Sequence, residues 1–459
     1  MVSPVVTTSP LRRRVRVRHL AFAICLAILL QTAWCFAGTV TVDLSKDEGP
    51  ITHRANGYLV SLQADAPAAE LIQPLKPTSF RGSPGYIFAN YARLRELGVD
   101  EFQLTLGLVF ADYAQWIFDI NRIGEQGDYG PWLAHVNRVI DVVQARKLNV
   151  LWDIYNEPDL AFPPIGENPK LKTGWKLAYE LIKRRIPGAR IVGPSISRYR
   201  LLKPFLDWSR DERVFPDIVA YHEYDDPAGA QTLIDDLRRY LQEKGLTAPI
   251  SVNEIIGQET WTQPGYVAAV LAAYERAGIL SAMHACWPDA QDTSRDQVEN
   301  TCDNPTLDGL LFVDRQSARP GWHVYQTYAA MEGHRLQATS DRPGLHVLAA
   351  DDRRADQVRL LLGKFQAHDE EETLVVLRQV SQRWPGNQGL PIDICGEVIP
   401  DVGSAPLERP VRRLAMRAVP AGDALLFSLP EFGRADAYRI TIGRTGNCAA
   451  AGMPRPHSP

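Results

Sequence analysis

From about Asn56 to Pro288 the chain repeats one rhythm: a short apolar run, a loop, then a stretch with 3.6-residue periodicity. The apolar runs cover residues 57–61, 77–81, 102–108, 149–154, 190–194, 217–221, 250–253 and 280–287. Short unbroken apolar runs bounded by turn residues predict strands buried on both faces, as in parallel sheets. Helical periodicity fills gaps between them, as at 132–148, 175–185, 232–243 and 266–277. Gly98, Gly245 and Gly278 stand where such helices stop, the place where a left-handed residue ends the last turn. Eight strands alternating with helices predict an α/β fold, a (β/α)8 TIM barrel. A doubly wound open sheet competes with it, but no Gly-rich turn follows the first run.

After about Gly333 the rhythm changes. Runs at 345–348, 357–362, 373–378, 391–395, 424–429 and 437–442 are short and often alternate, with turn residues between them. This predicts an antiparallel β-sandwich of about 100 residues appended to the barrel. The segment 39–44 alternates in the same way and adds a strand to it from the N-terminal side. The expected division is a barrel over 51–334 and a sandwich over 335–447, joined by the strand in 38–50, with a tail at 448–459. The charge run 369–372 fits a solvated hairpin turn.

The first 37 residues stand apart. Arg12, Arg13, Arg14, Arg16 and Arg18 precede an apolar run over 20–30, and Cys35-Phe36-Ala37 offers small residues for a signal peptidase. Eleven apolar residues fall short of the ~20 that span a bilayer. Residues 1–37 are therefore expected to be a signal peptide on a secreted or periplasmic protein, with an uncleaved anchor as the alternative. Composition is that of an ordinary globular chain: 459 residues, 45% hydrophobic and 23% charged. Five arginines and no acid in 1–37 take the rest from −4 to −9, which leaves no basic footprint for nucleic acid. After signal cleavage no membrane segment is expected. Cys286, Cys302, Cys395 and Cys448 allow three pairings. Proximity favours Cys286–Cys302 and Cys395–Cys448, with four free thiols as the alternative.

Barrels of this kind place their chemistry at the carboxyl ends of the strands. The fourth run ends in Tyr155-Asn156-Glu157-Pro158-Asp159, the sixth in His222-Glu223-Tyr224 and the seventh in Glu254. Cleaving an acetal needs a proton on the leaving oxygen while positive charge grows at the anomeric carbon. Two carboxyl groups at one rim, one protonated and one ionised, meet that demand. Asn156 is placed to bond a sugar 2-hydroxyl, and Tyr224 to hold the ionised carboxylate. Strand alternation turns Glu223 toward the barrel wall or a helix. Trp116, Tyr129 and Trp132, in or beside the loop after the third run, are either cleft wall or core.

Asn-Glu-Pro after strand four, His-x-Tyr after strand six, Glu after strand seven and Trp after strand eight resemble glycoside hydrolase clan A. Within it the chain looks most like glycoside hydrolase family 39, the β-xylosidase and α-L-iduronidase type, over about residues 39–445. The resemblance implies that Glu157 is the acid/base and Glu254 the nucleophile of a retaining glycosidase. It also implies that Asn156, His222 and Tyr224 line the subsite of the cleaved sugar, that Trp287 forms its floor, and that Arg81 supports the nucleophile. The chain departs from the family pattern at Tyr155, where Trp is common, and at Ile255, where an aromatic often follows the nucleophile. A poly- or oligosaccharide is the implied partner, with no cofactor. No G-x-S-x-G elbow or H-E-x-x-H spacing points to an esterase or a metal site. The competing function is a non-catalytic carbohydrate-binding protein on the same barrel. Such a binder has no use for two facing carboxyls that repel one another.

Overall fold

The structure, a computed structural model, describes residues 38–109, 116–224, 227–289, 299–300, 302, 304–314, 316–366, 372–386, 389–403 and 405–444. The expected signal segment 1–37, the tail 448–459 with Cys448, and the charge run except Glu372 lie outside the described residues.

The first strand, β1 (Gly38–Pro50), belongs to the second sheet. The next eight are parallel: β2 (Gly57–Tyr58), β3 (Ser79–Gly82), β4 (Glu101–Leu108), β5 (Leu151–Asn156), β6 (Ile191–Ile196), β7 (Ile218–Glu223), β8 (Ile250–Ile255) and β9 (Ser281–His284). Each pairs with the next and β9 returns to β2, so the sheet closes into a barrel. Every apolar run predicted from the sequence overlaps one of these strands. Most strands continue one or two residues past the last apolar position, because the hydrogen-bond ladder carries on through the polar rim. Outside lie α1 (Pro84–Glu96), α2 (Gly130–Ala145), α3 (Pro169–Arg185), α4 (Leu202–Asp211), α5 (Pro227–Glu243), α6 (Pro264–Ala277) and α7 (Pro320–Ala329). Five of these helices carry proline in the first turn over a defined N-cap, where its missing N–H costs nothing.

The second sheet adds β10 (His334–Ser340), β11 (Leu345–Asp352), β12 (Gln357–Lys364), β13 (Thr373–Arg378), β14 (Ile392–Ile399), β15 (Val411–Ala418), β16 (Ala424–Leu429) and β17 (Ala437–Gly443). Its order is β15-β14-β17-β12-β11-β10-β1-β13-β16. It folds around a core that includes Val40, Val347, Leu360, Val375, Leu425 and Ile442. The sandwich expected from the sequence is present, antiparallel at every described pairing but one. β1 runs antiparallel to β10 but parallel to β13, since a strand arriving from the N-terminus is not tied to its neighbours by a hairpin.

Helix α6 joins the two layers. Its backbone N–H at Gly265 donates to Ala435 O at 2.7 Å, and thirteen of its fourteen residues are buried. Cys286 and Cys302 form a disulfide just past β9. Cys395 is also disulfide-bonded, and its expected partner Cys448 lies outside the described residues. Among the described residues no helix is long and apolar enough to cross a membrane.

A column of polar side chains runs up the barrel interior. Glu101 Oε1 accepts from Ser281 Oγ (2.6 Å) and from Gln103 Nε2 (2.9 Å). Gln103 also donates to Ser251 Oγ (3.0 Å) and accepts from Asn253 Nδ2 (3.1 Å). Asn253 reaches Ser195 Oγ (2.8 Å), which donates to Asp153 Oδ1 (2.7 Å). The bonds of Glu101 to Ser281, of Gln103 to Ser251 and Asn253, and of Asn253 to Ser195 join strands that are not neighbours in the sheet, so they cross the barrel lumen. Asp153 is fully buried, and its other oxygen opens the site above.

Candidate active site

Asp153 Oδ2 accepts from Thr105 Oγ1 (3.1 Å) and from Arg81 Nε (2.8 Å). Arg81 is 4% exposed and uses the rest of its guanidinium on two rim residues. Nη1 donates to Glu254 Oε1 (2.7 Å) and Nη2 to Asn156 Oδ1 (2.6 Å). Burial works against the Arg81 charge, but Asp153 and Glu254 outweigh it and raise its pKa. Because Arg81 claims Oδ1, Asn156 offers its Nδ2 as the donor to any ligand.

Local backbone geometry aims the two carboxylates. His222 on β7 is the register partner of Glu254 on β8, after a bulge between Tyr221 and His222. Bulges of this kind re-aim side chains next to functional sites. Glu157 follows β5 at a φ of 47°, a left-handed conformation that costs a side-chain-bearing residue roughly 1–2 kcal/mol. Two bonds hold it there: Glu157 N–H donates to Ser195 O and Leu160 N–H to Glu157 O, both at 2.9 Å.

Tyr224 and His222 link the pair. The Tyr224 hydroxyl lies 2.7 Å from Glu254 Oε2, 3.2 Å from Glu157 Oε1 and 3.0 Å from His222 Nδ1. It has one proton to give, and the shortest contact assigns that proton to Glu254. Burial and the two carboxylates push the Tyr224 pKa well above the ordinary tyrosine range, so it remains a donor. His222 Nδ1 lies 3.0 Å from Glu157 Oε1; an ionised carboxylate only accepts, so Nδ1 carries a hydrogen in that state. Burial pushes the Glu157 carboxyl up, but the bond and charge of His222 and the Tyr224 hydroxyl hold it below the ordinary range.

One ligand atom each from Glu157, His222 and Glu254 lies within 4.8 Å of the others, a grouping that could in geometry hold a metal ion. The surrounding donors fit that use poorly. Arg81 and Tyr224 already occupy both oxygens of Glu254, and a guanidinium beside the site repels a cation.

Trp287 is half-buried and donates Nε1–H to Ile256 O (2.9 Å), with its ring edge-on to Tyr224 at 5.1 Å. The seven residues singled out from the sequence, Arg81, Asn156, Glu157, His222, Tyr224, Glu254 and Trp287, thus form one connected cluster. Other aromatics do not join it. Trp132 is buried in α2, with Nε1–H on Gly174 O (3.0 Å). Trp116 packs edge-on to Phe88 with the Arg138 guanidinium over its ring. Tyr155 lies in the core between Trp132 and Trp175 and donates to Leu171 O (3.1 Å).

Sequence reasoning missed Asp153 and Asp308. An acid inside the run Leu-Trp-Asp-Ile was the available signal for Asp153, because a buried charge requires a partner. Asp308 is fully buried on Leu307-Asp308-Gly309, which have φ values of 53°, 55° and 90°. It accepts from Leu59 N–H (2.5 Å) and Ser61 N–H (3.2 Å) and so pins the loop after β2. Burial pushes its carboxyl up to about 7, and Glu254 adds in the same direction. Leu59 packs with Met283 and Ala285, against which Tyr224 and Trp287 also rest.

No protein-family model matches the sequence, and no curated protein matches it. Solved structures do match. The structure of N2152 from Neocallimastix frontalis superposes with a TM-score of 0.73 at 21% identity, covering 89% of this chain and all of that one. A glycoside hydrolase family 39 enzyme from Xanthomonas axonopodis pv. citri gives 0.61 at 13% identity, covering 89% and 97%. A monomeric β-xylosidase from Caulobacter crescentus CB15 gives 0.60 at 15%, covering 89% and 100%. The chain shares the fold of these proteins, barrel and sandwich together.

Proposed function

We propose that the protein is a secreted retaining glycoside hydrolase that cleaves a poly- or oligosaccharide by double displacement. Glu254 is the nucleophile and Glu157 the acid/base. The observation that carries this is the approach of their carboxylate oxygens to within 4.8 Å. Carboxyl groups about 5–5.5 Å apart suit a covalent intermediate, whereas inverting enzymes need about 6.5–9.5 Å to admit a water. The fold shared with a family 39 enzyme and a β-xylosidase supports the same reading. The arginine-led apolar segment and the Cys286–Cys302 disulfide support export to an oxidising compartment.

In the first step a Glu254 oxygen bonds the anomeric carbon as the glycosidic bond breaks and the Glu157 proton passes to the leaving oxygen. In the second, Glu157 takes a proton from water, whose oxygen bonds the anomeric carbon and frees Glu254. Arg81 and Tyr224 orient Glu254 and stabilise the charge that leaves it in the first step and returns in the second. Asn156 Nδ2 bonds the sugar hydroxyl beside the reacting carbon, and Trp287 lies beneath the ring.

The test is reducing-sugar release from a panel of plant and bacterial β-glycans, with product anomers followed by NMR. Wild type should release sugar with retained configuration. Glu157→Gln and Glu254→Gln should each lose about 10²–10⁴-fold without loss of fold. Full activity in either variant overturns the assignment. Glycan binding by wild type without hydrolysis is the result expected of a non-catalytic binding protein.

A further inference from the structure

Phe162 is 95% exposed, and it is the aromatic among the large hydrophobic side chains that the described residues leave in solvent. It stands on the loop between β5 and α3, which begins at Glu157. That loop is a braced arch. Ile165 N–H donates to Pro158 O at 3.1 Å, closing the loop on itself, and the Ile165 side chain is fully buried. Asn168 Nδ2 donates to Pro163 O at 3.0 Å. Asp159, 1% exposed, accepts from Ser197 N–H (3.0 Å), Ser197 Oγ (2.8 Å) and Arg198 N–H (3.0 Å). Phe162 is three residues from Ile165, so its Cα cannot stray more than about 10 Å from that anchor beside Glu157. With Pro163, also exposed, it forms an apolar crest where solvent would favour a polar turn.

We propose that Phe162 is the platform on which the leaving-group sugar stacks, so that the protein takes substrates carrying a pyranose on that side of the scissile bond. The proposal rests on the glycosidase reading and adds to it. The acid must reach the glycosidic oxygen, which places the departing sugar on the Glu157 side, under or beside this loop. A pyranose presents a face of C–H bonds that packs on an aromatic ring, while its hydroxyls remain in water. Trp287 stands beside Tyr224, which bonds Glu254; with Phe162 taking the sugar on the Glu157 side, each aromatic would serve one ring.

The experiment compares β-D-xylosyl, β-D-glucosyl and β-D-galactosyl fluorides with the corresponding β-1,4-linked disaccharides. A glycosyl fluoride carries no sugar on the leaving side. Phe162→Ala should lower kcat/KM for the disaccharide about ten-fold while leaving the fluoride unchanged, and Phe162→Tyr should restore the disaccharide rate. Equal losses on both substrates, or no loss on either, overturn the proposal. If wild type cleaves no fluoride that Glu254→Gln leaves intact, the glycosidase reading fails and takes this proposal with it. Activity on the fluoride with an indifferent Phe162→Ala removes the platform alone.

Discussion

Glu157 is caught between opposing influences, and His222 decides the balance. Burial favours the neutral acid; the His222 ring favours the carboxylate. A group with a depressed folded pKa stabilises the fold above the ordinary carboxyl range and loses that contribution as pH falls below it. His222→Asn removes the depressing partner, so Glu157 should hold its proton to higher pH. The alkaline limb of the kcat/KM profile is then expected to move upward. The rate at the optimum should fall roughly ten- to hundred-fold, since a bond to a charged group is worth about 1.5–3 kcal/mol. An unmoved limb would mean that His222 only packs. Residues such as Glu157 and Glu254 were legible because each is a polar side chain ending an apolar run. Asp308 was not, because its role comes from a left-handed backbone that only the neighbouring Gly309 hints at. Phe162 was hidden for the opposite reason: an aromatic in an apolar stretch reads as core, and only the fold shows it in water.

Helix α6 shows how the same blindness works for elements. Its periodicity announces a helix, yet Pro-Gly-Tyr-Val-Ala-Ala-Val-Leu-Ala-Ala-Tyr is apolar on every face, as expected of a helix covered all round. The covering is the second sheet. A Cβ at Gly265 would lie 2.2 Å from Lys364 O and 2.7 Å from Ala435 O, backbone atoms that cannot swing aside. Gly265→Ala should therefore destabilise the protein by about 1–3 kcal/mol, measured as a shift in the denaturant midpoint. An unshifted midpoint would mean that the two layers are free to separate. Strands β10 and β15 escaped the sequence for a related reason. Between them they bury a single residue, and both carry several polar side chains, so neither carries a clear period-two signal. β15 lies at the sheet edge, where charged side chains guard against pairing with another chain.

For the whole molecule, the order of eight strands and the change of rhythm after Gly333 were enough to give barrel and sandwich. The sequence does not show how firmly they are joined. The larger core runs without a break from the barrel through α6 into Leu348, Ala350, Leu361 and Ala437 of the second sheet. Heating should accordingly give one calorimetric transition, with the calorimetric enthalpy equal to the van't Hoff value. Two resolved transitions would separate the layers. The polar column in the barrel lumen carries a further meaning for how the site arises. Arg81, Asp153, Ser195 and Asn253 come from four different strands, and the bonds Arg81–Asp153 and Asn253–Ser195 form only when strands that are not sheet neighbours have met. A barrel lacking β3 would leave the buried Asp153 carboxylate without its countercharge, an unfavourable state. Closure itself thus brings Glu157 and Glu254 onto the one hydrogen-bonded network, through His222, Tyr224 and Arg81, that positions them.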